Sequence, residues 1–204
     1  MKRGIKMQDF LKELSSSAPT PGGGGASALI GAISCSLCSM VANLTTGKKK
    51  YAQYQDRIEE YIRILEEKNI VLQADIQKDA DAFAPLAAAY SLDKNTEGYA
   101  EIMEKATLDA AVAPLEITRD IYSLVPIIED MAVMGSRLAI SDVAVAATAA
   151  RAALEGAVMN IFINTKSLRD REKAEIMNAE AINMIKDGRA RLDKVYEEIR
   201  DNML

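Results

Sequence analysis

At 204 residues and 22.2 kDa the chain is long enough for one domain, 1–204, to bury its core without disulfide or metal support, and 49% hydrophobic with 27% charged residues excludes a disordered or collagen-like polymer. Its 25 Lys and Arg against 30 Asp and Glu leave a net charge of −5, which argues against a nucleic-acid partner. It has no histidine, so the usual base at neutral pH and the commonest zinc ligand are missing, and acid–base work falls to Asp, Glu, Lys, Cys or Tyr.

Aromatic residues are only 5%, while Ala, Leu, Ile, Met, Glu and Lys are abundant, which favours helix. Met1–Phe10 carries basic residues with no apolar stretch after them, so no secretory signal is expected and a cytoplasmic location follows. Met7, Phe10, Leu11 and Leu14 share one face of a short amphipathic helix. Pro19-Thr20-Pro21-Gly22-Gly23-Gly24-Gly25 interrupts it, since proline blocks helix and glycine permits backbone conformations closed to other residues. Ala26 to Thr46 is helical, uncharged and apolar all round, the mark of a helix buried in a bundle or in lipid. Ser34, Ser36, Ser39, Asn43, Thr45 and Thr46 interrupt the apolar run and no second such span exists to pair with it, so a close-packed central helix is expected rather than a membrane span.

Gly47 stops that helix, and Lys48-Lys49-Lys50-Tyr51 follows. A long amphipathic helix is predicted from about Gln53 to Leu92, kinked at Pro85. Thr96 is the predicted N-cap of the next, which runs to Tyr122 through Pro114. Pro126 opens a segment to about Gly135. After Ser141-Asp142, a second small-residue helix runs from Val143 to Leu168, and a charged amphipathic one from Arg171 to Met203, with Gly188 as its weak point. No strand and no repeat is legible. The fold class is therefore all-α, a bundle of about seven helices with two buried small-residue helices at its centre.

Several motifs carry competing readings. Gly23-Gly24-Gly25-Ala26-Ser27-Ala28 fits a dinucleotide fingerprint in letters, but that pattern needs a preceding strand, and here a helix and two prolines precede it. The glycines serve either to bind an anion through free backbone N–H groups or to let the turn pack tightly. Cys35-Ser36-Leu37-Cys38 lies in mid-helix in an apolar run, with no further Cys or His to complete a zinc site, so the pair reads as buried small hydrophobes. Lys48-Lys49-Lys50 suits either a solvated helix C-terminus or an anionic ligand. Asp81, among Ala80, Ala82, Phe83 and Ala84, is expected to be partly buried with a tunable pKa. Asp142 is either a helix N-terminal acid or a functional group in apolar surroundings.

The order of these motifs goes further. Pro19-Thr20-Pro21-Gly22-Gly23-Gly24, then Met40-Val41-Ala42-Asn43-Leu44-Thr45, then Gly47-Lys48-Lys49-Lys50-Tyr51, resembles the formimidoyltetrahydrofolate cyclodeaminase family, which includes stand-alone methenyltetrahydrofolate cyclohydrolases. The likeness continues through Asp81-Ala82-Phe83, Ala88-Ala89-Tyr90, Pro114-Leu115, Ser141-Asp142-Val143 and Ala153-Leu154-Glu155-Gly156-Ala157, with Asn160 and Asn164. It departs where the family commonly has Ser at Gly25 and Asn at Ser136. The resemblance implies an all-helical homodimer in the cytoplasm acting on a folate, with no metal or redox cofactor and no nucleic-acid or membrane partner. It implies hydrolysis of 5,10-methenyltetrahydrofolate to the 10-formyl form, or alternatively cyclisation of the formimidoyl form with loss of ammonia; a non-catalytic helical dimerisation module is the reading that stands apart from both. The site expected on these motifs has Lys48, Asp81 and Asp142 as catalytic residues, with Lys49 as the competing proton carrier. Pro21, Gly22, Gly23, Gly24, Thr45, Lys49 and Ser141 are the expected substrate-binding residues.

Overall fold

The computed structural model describes residues 6–204; Met1–Ile5, the start of the segment read for a secretory signal, lies outside them. Among the described residues seven α-helices follow one another: α1 (Met7–Leu14), α2 (Gly23–Thr45), α3 (Gln55–Ala89), α4 (Tyr99–Tyr122), α5 (Val125–Met134), α6 (Ile140–Thr165) and α7 (Arg171–Asp201). There is no strand among the described residues, as the periodicity predicts.

The two small-residue helices, α2 and α6, form the centre. α2 packs chiefly on α6 and α3, and α6 chiefly on α2, α7 and α4. The α2–α6 pair is antiparallel: Gly23 lies against Asn160, and Ser27 against Gly156. Further along, the Ser34 hydroxyl donates to the Ala146 carbonyl at 2.8 Å, and Ser136, just before α6, donates its N–H to Thr45 Oγ1 at 2.8 Å. Such close approach needs small side chains, and Ala28, Ala32, Ala146, Ala150, Ala153 and Ala157 supply them, all buried. Larger residues close the core around them, among them Leu65, Leu72, Ile121, Ile128 and Leu154.

Three local expectations change. Lys49–Tyr54 forms a 3₁₀ helix ahead of α3, so the long helix starts at Gln55. The cap of α4 is Gly98, in the left-handed region at φ 72°, while Thr96 closes the preceding turn through its N–H on Asp93. Gly188 is no weak point: it is buried in α7, and a Cβ there would come within 2.8 Å of Leu154 and 3.4 Å of Tyr122. Its missing side chain lets α7 lie close to α6 and α4.

Candidate active site

α2 divides the expected site residues into two groups. It is 23 residues long, so at about 1.5 Å of rise per residue its ends are about 33 Å apart. Pro21 and Gly22–Gly24 stand at its N-terminus, and Asp81 lies two residues beyond a side chain bonded there. Thr45, Lys48 and Lys49 stand at or just past its C-terminus. Because α6 runs antiparallel, Ser141 and Asp142 in its first turn join the second group.

At the glycine end the reading of Asp81 needs correcting. Asp81 is exposed on α3 and accepts a hydrogen bond from Gln77 Nε2 at 2.8 Å. The half-buried acid is its neighbour Asp79, whose carboxylate accepts the Gly25 N–H at 2.9 Å. A helix turns successive residues by about 100°, so two positions along α3 separate a solvent-facing acid from one facing α2. Burial raises the Asp79 pKa, and the Gly25 N–H pulls it back in part. A Cβ at Gly24 would collide with the same carboxylate. The glycines thus serve close packing, and the anion at the start of α2 is the protein's own. Gly25, where the family commonly has Ser, is the N–H donor in this contact. Asn160 on α6 closes the other side against Gly23 and donates to the Gly156 carbonyl at 2.8 Å.

The other end is a corner built from two chain segments. Gly47, in the left-handed region at φ 74°, ends α2 and turns the chain. Beyond it Lys48 and Lys49 are exposed. Lys48 Nζ lies 3.4 Å from Ser136 Oγ, in the α5–α6 connection. Ser136, at the position where the family commonly has Asn, is buried, and its N–H is held by the buried Thr45 hydroxyl, which itself donates to the Val41 carbonyl at 2.7 Å. Tyr51 enters the same corner: its phenol oxygen accepts the Arg137 N–H at 3.0 Å. Thr45 is therefore the floor of the corner rather than part of its open face. Ser141 is exposed and Asp142 half-buried, one turn further on; among the described residues no side-chain hydrogen bond or ion pair joins Asp142 to Lys48. Ser141 borders an apolar groove of about 550 Å³ between α6 and the end of α7, with Val145, Thr148, Tyr196 and Met203 along it.

The two thiols lie away from both ends. Cys35 and Cys38 are buried, and Cys35 donates to the Leu65 carbonyl at 3.2 Å. Burial pushes the Cys35 thiol up to about 11, and raises Cys38 further, so neither is a thiolate at neutral pH. The packing reading of the pair holds. No group of three or more Cys, Asp or Glu suited to a metal ion occurs among the described residues.

Sequence reasoning missed Asp79, Ser136 and Tyr51 as site residues. Asp79 had no signal beyond its neighbour's, because the rotation of α3 decides which acid turns inward. Tyr51 and Ser136 had only their place in the motifs, with nothing to pair them.

The formiminotransferase-cyclodeaminase family profile matches residues 6–183. The chain is 35% identical to a methenyltetrahydrofolate cyclohydrolase of Methylorubrum extorquens, over 97% of each chain. It is 28% identical to a formimidoyltransferase-cyclodeaminase of Mus musculus, over 80% of this chain and 31% of that protein. Its fold superposes on the crystal structure of formiminotetrahydrofolate cyclodeaminase from Thermotoga maritima with a TM-score of 0.82, at 26% identity over 97% of this chain and 94% of the other.

Proposed function

The chain belongs to the formiminotransferase-cyclodeaminase family, and from that premise we infer that this folate one-carbon enzyme hydrolyses 5,10-methenyltetrahydrofolate to 10-formyltetrahydrofolate. The observation that carries the choice of reaction is the similarity, end to end, to a cyclohydrolase of the same extent. The second reading, cyclisation of the formimidoyl form with release of ammonia, is favoured by the superposition on the Thermotoga maritima enzyme. Both reactions pass through a tetrahedral carbon bonded to N5 and N10. Each needs an anion near a cationic carbon and a group that passes a proton. No metal or redox step enters this chemistry.

We place the proton-handling part of the site at the Lys48–Ser136 corner, with Lys49 on its rim and Ser141 and Asp142 on the adjacent first turn of α6. Asp142 is the acid offered to the amidinium cation there. Pro21, Gly22–Gly24 and Asp81 are a helix length away in the same copy, so they reach the same folate only from a second copy.

A homodimer supplies that second copy. α2 is long and apolar enough by composition to cross a membrane, yet only 56% of its apolar stretch is buried in the protomer. Ile33, Met40 and Leu44 on α2, and Val145 and Met159 on α6, stay exposed. An apolar face of this extent on two adjacent helices fits a second copy of itself. A two-fold axis crossing α2 at right angles near its middle carries the glycine turn of one copy to the lysine corner of the other. We read the chain as one domain, from the unbroken motif order.

The test is turnover of the purified protein with methenyltetrahydrofolate and, separately, with the formimidoyl form, followed by absorbance and by ammonia release. Hydrolysis of the first without ammonia-releasing turnover of the second is the expected result. Turnover of neither supports the dimerisation module instead. Lys48→Met and Asp142→Asn should each lower turnover by ~10²–10⁴-fold while the thermal melt stays put, the usual cost of losing a proton-transfer or charge-stabilising group. Retention of rate within a few-fold by both removes the corner from the mechanism.

A further inference from the structure

The lysine corner contains one group that no role above uses. Tyr51 follows directly on the lysine run, and its side chain crosses to the α5–α6 connection, where the phenol oxygen accepts the Arg137 N–H at 3.0 Å. A backbone donor aimed at that oxygen favours its ionised form over its neutral form. Ser136, next in the chain, brings its buried hydroxyl to the same place and stands 3.4 Å from Lys48 Nζ. Lys50 Nζ lies 5.6 Å from the centre of the Tyr51 ring. The charged groups facing this phenol are thus Lys48 and Lys50 from its own segment, while the α5–α6 connection contributes the Ser136 hydroxyl and the Arg137 N–H. All of them favour a phenolate.

We propose that Tyr51 is the catalytic base of the folate reaction, and that Ser136 and Lys48 hold its phenolate ready. The proposal rests on the folate reading above. In the hydrolytic direction the phenolate oxygen takes one proton from water as the water oxygen bonds to the methenyl carbon. The positive charge on the amidinium is lost in that step, giving a neutral tetrahedral adduct. The phenol then gives its proton to N5 while the carbon–N5 bond breaks. The adduct hydroxyl becomes the formyl C=O, and its proton departs to solvent, leaving the phenolate restored beside Ser136 and Lys48. One water is consumed and one proton released, and no oxidant or reductant takes part.

The physical requirement is a base able to act near neutral pH in a chain without histidine. A free tyrosine, at about 10, is too weakly ionised there. The Tyr51 pKa is lowered, first by the Arg137 N–H; burial opposes this in part, and Ser136, Lys50 and Lys48 add to the lowering. Because the base form does the work, the rate should rise with pH through the Tyr51 pKa.

The experiment compares wild type, Tyr51→Phe and Lys48→Met by steady-state kinetics across pH, together with near-ultraviolet titration of tyrosinate and a thermal melt. Tyr51→Phe should lose ~10²–10⁴-fold in kcat with KM changed only a few-fold, and should abolish the rising limb. The tyrosine that titrates lowest in wild type should be missing from its spectrum. In Lys48→Met that tyrosine should titrate at higher pH, and the rate limb should move with it. Tyr51→Phe that keeps kcat within a few-fold overturns the proposal. If Tyr51→Phe does not fold, the wild-type and Lys48→Met data decide: a rate limb that fails to follow the tyrosinate titration overturns it as well. A wild type that turns over neither folate defeats the folate reading itself, and this proposal with it, an outcome distinct from an active wild type with an active Tyr51→Phe.

Discussion

Asp79 and Asp81 differ by two positions and by everything that matters chemically. Asp81 faces water with Gln77 as its partner, while Asp79 is half-buried against the start of α2. Burial raises the Asp79 pKa in the folded protein, so between its ordinary value and the raised one the folded state holds more protons than the unfolded state. Stability contributed at this site is therefore greatest below the ordinary carboxylate pKa and declines as pH rises through the folded value. Asp79→Asn keeps an acceptor for the Gly25 N–H and removes the buried charge. Its stability relative to wild type should rise from pH 4 towards pH 7, a trend read from denaturant melts at a series of pH values. A constant difference across that range would mean that the Asp79 charge is as well solvated folded as unfolded.

Among the elements, α2 is the one whose neighbours leave least room. Gly31 faces Ile121 of α4 and Leu72 of α3, and a Cβ there would come within 2.8 Å of Ile121 Cγ1 and 3.4 Å of Leu72 Cδ2. The contact with Ile121 lies near that residue's backbone end, where rotation offers little relief. Gly31→Val adds two further carbons to this gap, and overpacking of a filled core costs about 1–3 kcal/mol. That loss outweighs the gain in helix propensity on replacing glycine, which is a few tenths to ~1 kcal/mol. The variant should unfold at lower denaturant concentration with an unchanged slope. Unchanged or higher stability would mean that α3 and α4 move apart freely, which the tight antiparallel packing of α2 on α6 opposes.

For the whole molecule, the apolar faces left open on α2 and α6 should decide the oligomeric state. Ile33 is 43% exposed and Val145 54% exposed, and neither contributes to the protomer core. Placing a charge at both, as Ile33→Glu with Val145→Glu, costs little within one copy but puts like charges into a self-complementary interface. Light scattering should give a dimer for wild type and a folded monomer for the double variant. Because the glycine turn and the lysine corner are assigned to different copies, the monomer should also lose folate turnover. A monomeric, folded and fully active variant would place the whole site within one copy.

Composition and period by themselves determined that this protein is helical, where its two central helices lie, and that its thiols are packing groups. Helix-period apolarity, with no charge in 26–46 and only Arg151 in 143–154, leaves no other stable arrangement, because each such helix must be covered on several sides. The family also was legible, since the order of Pro-Thr-Pro-Gly, Gly-Lys-Lys-Lys-Tyr and Ser-Asp segments is a property of the sequence. Only the tertiary structure decided which of these segments meet. A 23-residue helix holds its two ends about 33 Å apart, and neighbours in a motif order carry no trace of that distance. The antiparallel course of α6 gathers Thr45, Ser136, Tyr51 and Lys48 at one end and leaves Gly24, Asp79 and Asn160 at the other. The rotation of α3 by about 100° per residue then selects Asp79 over Asp81 as the acid that faces α2, a choice set by the packing angle of two helices and therefore invisible in either one alone.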